Sequence, residues 1–375
     1  MLNKISIRKS VLLSCAAACL AALSAAGSTV QAAPSYDITG LGFPPGGKGS
    51  GATAINDSGQ VVVNDGYQAF LYTNGSMTAL GTLGKLGGDL SIGYAINNNG
   101  QVVGESNASS GEEHAFLYAN GTMSDLGTLG GNLSVATGIN DSGQVVGDSN
   151  TSSGTYHAFL YTNGTMSDLG TLGGNFSVAT GINDNGQVVG YSTATANGDQ
   201  EAFLYSNGRM SGLGTLGGSS SSASGINDSG QVVGGSNTSS GAYQAFLYSN
   251  GTMTDIGASL GSVLSRANSI NDSGQVVGYY DINSQASPSH AFVYSNGTAY
   301  DLNNLIPSGS GWTLVYATGI NDFGQVVGWG NDPAGKQEAF LLTPVPEPAA
   351  LAIFALGFAG LALRCRKSLK RTVAA

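Results

Sequence analysis

Cysteine is nearly absent from this chain. There are three in 375 residues, Cys15, Cys19 and Cys365, and none lies between Ala33 and Leu363. A disulfide scaffold is therefore excluded for the central body, which must be stabilised by packing and closure of the fold. Charge is scarce too, at 10% of residues, and one-sided. All 23 acidic residues lie between Asp37 and Glu347, facing only Lys48, Lys85, Arg209, Arg266 and Lys336. With five basic residues against 23 acidic ones the stretch from Asp37 to Glu347 carries −18, where the whole chain carries −10. Such a body has no electrostatic reason to bind nucleic acid or anionic lipid, which leaves neutral glycans, cations or proteins as partners. No P-loop, nucleotide fingerprint or Ser-His-Asp set stands out, and tryptophan occurs only at 312 and 329.

The ends differ from the body. Lys4, Arg8 and Lys9 precede the uncharged run 11–26, and Val30-Gln31-Ala32 follows as a small-x-small site. A basic start, an apolar core and such a site predict a signal peptide over 1–32, cut after Ala32. At the other end Val345, Pro346, Glu347 and Pro348 lead into the uncharged stretch 349–363, then Arg364, Arg366, Lys367, Lys370 and Arg371. As a helix that stretch would rise only ~22 Å, short of the ~20 residues usual for a span. Residues 345–375 thus read as a tail with a short transmembrane segment and a basic end held in the cytoplasm. The order Pro-Glu-Pro, short span, arginine cluster resembles the PEP-CTERM sorting signal of bacterial surface proteins over 345–371. That resemblance implies processing by an exosortase, with transient anchoring in the inner membrane and delivery to the cell surface or extracellular matrix. An ordinary tail anchor is the alternative.

Between the ends the sequence repeats. An Ile-Asn pair recurs with Asn at 56, 97, 140, 183, 227, 271 and 321, and an Ala-Phe pair follows each, with Phe at 70, 116, 159, 203, 246, 292 and 340. Units of about 44 residues thus fill 34–344. Each reads as four short strands rich in Val, Ile, Phe and Tyr and punctuated by Gly and Asn. In the unit near 134–174, SVATGIN, QVVGDS, HAFLY and TMSDLG are the strands. Asn163-Gly164 joins the last two, and Asn-Gly is the strongest short hairpin signal because both residues need positive φ.

The seventh unit ends at Ala339-Phe340-Leu341-Leu342 without a fourth strand. The missing piece lies at the start of the body, where 36–42 matches the frame of 167–173, setting Asp37 against Asp168. An N-terminal strand completing the last repeat is what a closed ring requires, whereas an open solenoid needs polar capping repeats. These features predict an all-β, seven-bladed β-propeller closed by the N-terminal strand; an open β-repeat solenoid, including a parallel β-helix, is the competitor.

GINDSGQVVG, at 138–147 and again at 225–234, is read as scaffold: Asn, Asp and Ser suit a turn and Gly its positive φ. If the first strand is innermost, Asp57, Asp141, Asp184, Asp228, Asp272 and Asp322 would ring one mouth of a channel, with Asn98 at the seventh place. Calcium there is conceivable, but the spacing matches no EF-hand loop. His114, His157 and His290 precede Ala-Phe where other units have Gln68, Glu201, Gln244 and Glu338, a polar strand edge rather than a metal set. Any two carboxylates could serve a glycosidase, yet none is singled out, so no catalytic residue is assigned.

The alternation of HAF-type and INDSGQVVG-type phrases resembles the bacterial extracellular HAF-repeat family over 36–343. Val63 and the longer lead-in to the last unit through Pro307 and Trp312 depart from the pattern. Trp312 and Trp329 fall at the expected seam, where bracing is the expected role and sugar stacking the other. The expectation is an exported, non-enzymatic protein without a cofactor that binds or organises extracellular polysaccharide or surface protein. A carbohydrate-active hydrolase or lyase is the alternative.

Overall fold

A computed structural model describes residues 34–84, 90–194, 198–282 and 289–346. The cleavage site at Ala32, the sorting residues Glu347, Pro348, Arg364 and Arg366 and the stretch 349–363 lie outside the described residues. Within them no helix is long and apolar enough to cross a membrane.

The described residues are all β apart from two single 3-10 turns, Ala258–Leu260 and Leu302–Asn304. Five sheets have four strands, and a sixth has eight because the fifth and sixth units touch through one parallel pair, Tyr243 with Leu264. Each unit is otherwise an antiparallel meander, which excludes the parallel β-helix. The hairpin turns are as the sequence requires: Asn163 has φ 51° and Gly164 φ 81°.

The core is shared between units. Val103, Ala115 and Leu126 of the second unit cluster with Ala136, Ile139, Val145 and Phe159 of the third. Val327 and Ala339 of the last unit pack in the same manner on Ala52, Ile55 and Val61 of the first, joined by Leu41 and by Val63. Each buried Val or Phe contributes about 1.5–3 kcal/mol of apolar transfer, so no unit buries its hydrophobic face alone.

Strand Tyr36–Gly40 pairs antiparallel with Gln337–Pro344, from Tyr36 opposite Pro344 to Gly40 opposite Phe340. In the other six units the chain's own fourth strand holds this place, for instance Thr165–Asp168 with Phe159 opposite Asp168. The N-terminal strand does complete the last sheet, but three residues further along than the letter match. Gly40, not Asp37, stands where Asp168 stands, and Leu41 N donates to Ala339 O at 2.9 Å as Leu169 N does to Ala158 O. The carboxylate expected from Asp37 comes from another strand, as described below.

Candidate functional site

The repeated Asn-Asp phrase closes the turn between the first and second strands and also ties each unit to the next. Asn183 Oδ1 accepts from Gln187 N at 2.9 Å. Its Nδ2 donates to Gln187 Oε1 at 2.9 Å and to Asn227 O of the following unit at 2.9 Å. The same inter-unit bond runs from Asn56 to Asn97, then to Asn140, Asn183, Asn227, Asn271 and Asn321. Asn321 Nδ2 then donates to Asn56 O at 3.1 Å, so the series returns to its start. All seven amides are buried.

A second series lies one residue outward. Asp141 N donates to Asp184 Oδ1 at 2.8 Å, and every unit repeats this up to Asp322 N on Asp57 Oδ1. Asn98 takes part and its Nδ2 bridges Asp57 Oδ2 and Asp141 Oδ2 at 2.9 and 3.2 Å. The six aspartates and Asn98 therefore converge on one cavity of about 230 Å³, lined by Ile, Asn and Asp or Asn of every unit. Partial burial pushes the Asp184 carboxyl up, and Asp141, Asp228 and Asp272 add to this against the Asp141 N–H. Asp322 is raised by the same causes, from Asp272, Asp57 and Asp228. Among the described residues no group of three or more His, Cys, Asp or Glu is placed to hold a metal ion.

The histidines pair within their own units. His114, His157 and His290 place Nδ1 at 2.8–2.9 Å from Asp125, Asp168 and Asp301 of the adjacent strand. That carboxylate also accepts from the next loop, as in Gly170 N to Asp168 Oδ1 at 2.7 Å. Where Asp is replaced by Gly212, Glu201 replaces His and its Oε1 takes Gly214 N at 2.8 Å. The last unit does likewise: Gly40 replaces Asp and Glu338 Oε1 takes Gly42 N at 2.7 Å. A Cβ at Gly212 or Gly40 would strike the glutamate, so the exchange is coupled. This position is a loop clamp.

At the opposite end of the first strand the units diverge. The residue after Val-Val-Gly is Glu105, Asp148, Tyr191, Gly235, Tyr279 or Trp329, and Asn64 in the first unit. Asp148 lies opposite Val135, six residues before Asp141, or roughly 20 Å along the strand. A second cavity of about 230 Å³ lies towards this end, bordered by the same seven isoleucines. Thr53, Thr137, Thr180, Asn268 and Thr318 each bond there to a carbonyl of the next unit. Tyr94 donates to Glu105 Oε1 at 2.7 Å instead, and Arg266 reaches Ser222 and Ser224. Burial, then Glu105, pushes Asp148 up to about 6. Burial also raises Glu105 against the Tyr94 hydrogen bond. Tyr316 stacks on Trp329 with centroids 4.8 Å apart and meets Tyr279 at 4.2 Å with the rings tilted by 38°. Trp312 packs against the core cluster that holds Tyr36 and Phe340. Reading along the chain missed this end; aligning the units and asking where they differ would have found it.

The C-terminus carries a PEP-CTERM protein-sorting motif. The match covers 344–367, of which Pro344, Val345 and Pro346 are described, with Val345 N donating to Ser35 O at 2.9 Å. This motif indicates export, with anchoring through the C-terminus before an exosortase processes it. A family described as "Protein of unknown function (DUF3466)" matches 219–332. No curated protein matches the chain. Similar solved structures include a putative TolB from Agrobacterium tumefaciens, 11% identical over 83% of this chain and 98% of that one, TM-score 0.42. A puromycin-hydrolyzing peptidase of Mycobacterium tuberculosis is 11% identical over 84% of this chain and 55% of its own, TM-score 0.45. The fucose-recognising, six-bladed β-propeller lectin of Aleuria aurantia is 11% identical over 84% and 98%, TM-score 0.34. Likenesses this distant say nothing of activity.

Proposed function

We propose that the body is a seven-bladed β-propeller of the HAF-repeat type and that the protein is an exported, non-enzymatic binder or organiser of extracellular polysaccharide or protein. The propeller is supported by the amide series that returns from Asn321 to Asn56 and by the N-terminal strand in the last sheet. Binding rests on one observation: near-identical units diverge where Glu105, Asp148, Tyr191, Tyr279 and Trp329 share one end of the fold. Side chains that serve only the scaffold have no reason to differ between units there, while the Asn-Asp end keeps its pattern. No cofactor belongs to this reading. The aspartates are turn groups, so millimolar calcium should leave the melting temperature unchanged; a saturable rise absent with magnesium would restore the cation site. A glycan and surface-protein array, run beside an activity screen on the same polysaccharides, tests the whole. Binding without turnover supports it, and an array empty of both glycans and proteins refutes it.

One observation favours the second reading, a carbohydrate-active enzyme. Asp148, raised to about 6 beside Glu105, is the kind of carboxyl that donates a proton near neutral pH. Product release abolished by Asp148→Asn and Glu105→Gln, with folding intact, would establish it.

A further inference from the structure

In the last unit Tyr316 fills the space between Tyr279 of the unit before and Trp329 of its own second strand. The equivalent place in the first unit belongs to Gly51, in register with Asn64. The five other units carry Ile92, Val135, Val178, Ser222 and Arg266 there, each in register with the residue after Val-Val-Gly. Gly51 has no side chain to continue the stack. A Cβ on it would lie 3.7 Å from Trp329 Cδ1, and a cavity of about 420 Å³ opens beside it. This falls within the roughly 300–1,000 Å³ of small-ligand sites. Trp329 lines the cavity with Asp65 and Gln337, and Ser50, Thr53, Asn64 and Thr318 border it with polar groups that also bond to backbone.

We propose that this slot binds a neutral sugar, one pyranose ring completing the series Tyr279, Tyr316, Trp329 from the open side of the indole. The proposal rests on the reading of the protein as a binding propeller and names its site. An indole face attracts the C–H face of a pyranose by dispersion and through its negative quadrupole. The hydroxyls around that ring meet the Gln337 amide and the Asp65 carboxylate, whose Oδ1 already accepts from Tyr67 N and Gln68 N. The 23 acidic residues against five basic ones between Asp37 and Glu347 disfavour a nucleotide, a uronate or a sulfated glycan in the same place.

The slot makes its own test, because the other units show what fills it. Gly51→Ile introduces the side chain of the second unit where a Cβ meets only ordinary van der Waals contact. The full chain, in a detergent without a sugar headgroup, is titrated calorimetrically with cellohexaose, maltohexaose and xylohexaose, and with oligogalacturonate as the anionic control. Saturable binding of at least one neutral oligosaccharide is expected, with none of the uronate. Gly51→Ile should hold the melting temperature and weaken binding at least about tenfold, and Trp329→Ala should weaken it comparably. If Gly51→Ile melts lower, Gly51→Val, the side chain of the third and fourth units, takes its place. Binding undiminished in the filled variant overturns the slot but leaves glycan binding elsewhere on the propeller. No binding of any of the three neutral oligosaccharides also overturns it, and the array then judges the broader reading separately.

Discussion

Replacing Asn321 by alanine should cost as much as replacing Asn183, and that equality separates a closed cycle from an open stack. Asn183→Ala removes three hydrogen bonds and leaves Gln187 N without its partner, while Asn227 O keeps only the bond from Gly230 N. The orphaned donor costs about 1–3 kcal/mol and each of the two other lost bonds about 0.5–1.5 kcal/mol. The cavity beside the turn is open to water, which places the total near the lower half of that sum, about 2–4 kcal/mol. At roughly 2–4 °C per kcal/mol, the melting temperature should fall by about 5–12 °C. Asn321 makes the matching set, to Gln325 at 2.9 Å and to Asn56 O at 3.1 Å. In an open stack its last bond would have no partner, and its loss would be the cheaper by about 1–2 kcal/mol. The assay is thermal unfolding by circular dichroism at one scan rate, with exposed Ser142→Ala as the control. Equal falls for the two variants support closure. A fall for Asn183→Ala with little for Asn321→Ala would refute it, and no fall for either would show that the amides do not hold the units together.

Deleting 36–42 from the full chain should lower the melting temperature by 10 °C or more, on the order of the 3–6 kcal/mol carried by Tyr36 and Leu41, and expose an edge prone to aggregation; a parent-like melt would sink the seam. The control is a Gly-Ser insertion at Ser153, in an exposed loop tip, because Asn150 is buried and takes the Asn132 and Leu133 amides. Mild acid should stabilise the protein. Asp148, Glu105, Asp184 and Asp322 all have raised folded values, so their stability is complete below the unfolded range near 4 and is lost as pH rises through the folded one. Asp148 alone should add about 1 kcal/mol between pH 7.5 and 5; a melting temperature that falls over that interval, or a rise untouched by Asp148→Asn, contradicts this. Protein recovered from its native host should lack the tail after Pro346-Glu347-Pro348, and an intact mass that retains 364–375 would refute processing.

The parts of the fold that were legible in the sequence are those whose cause is local. Asn163-Gly164 announces its hairpin because few other pairs tolerate positive φ twice. The missing fourth strand after Leu342 could be counted. The register of the strand that replaces it could not, because matching letters favoured Asp37. The structure required only a leucine to bury and a carboxylate to clamp the loop, and Leu41 and Glu338 supply these. That coupling was in principle visible: Asp follows His by eleven residues, and where Gly212 replaces Asp, Glu201 replaces His. It was lost because each column was read alone, and a position that accepts His, Gln or Glu then looks unconstrained.

The inter-unit bonds were hidden for the opposite reason. Asn140 bonds to Asn183, 43 residues on, through a phrase that reads the same in both places. Nothing in such a phrase says whether its amide serves its own turn or its neighbour's, and here it serves both. The end where the units differ was obscured by the repeats themselves. Fidelity draws attention to GINDSGQVVG, which the units need in order to be units, and away from the next letter, where they differ. In a chain built of copies, the scaffold is what recurs, and the argument for a site begins where Gly51 declines to be Ile92.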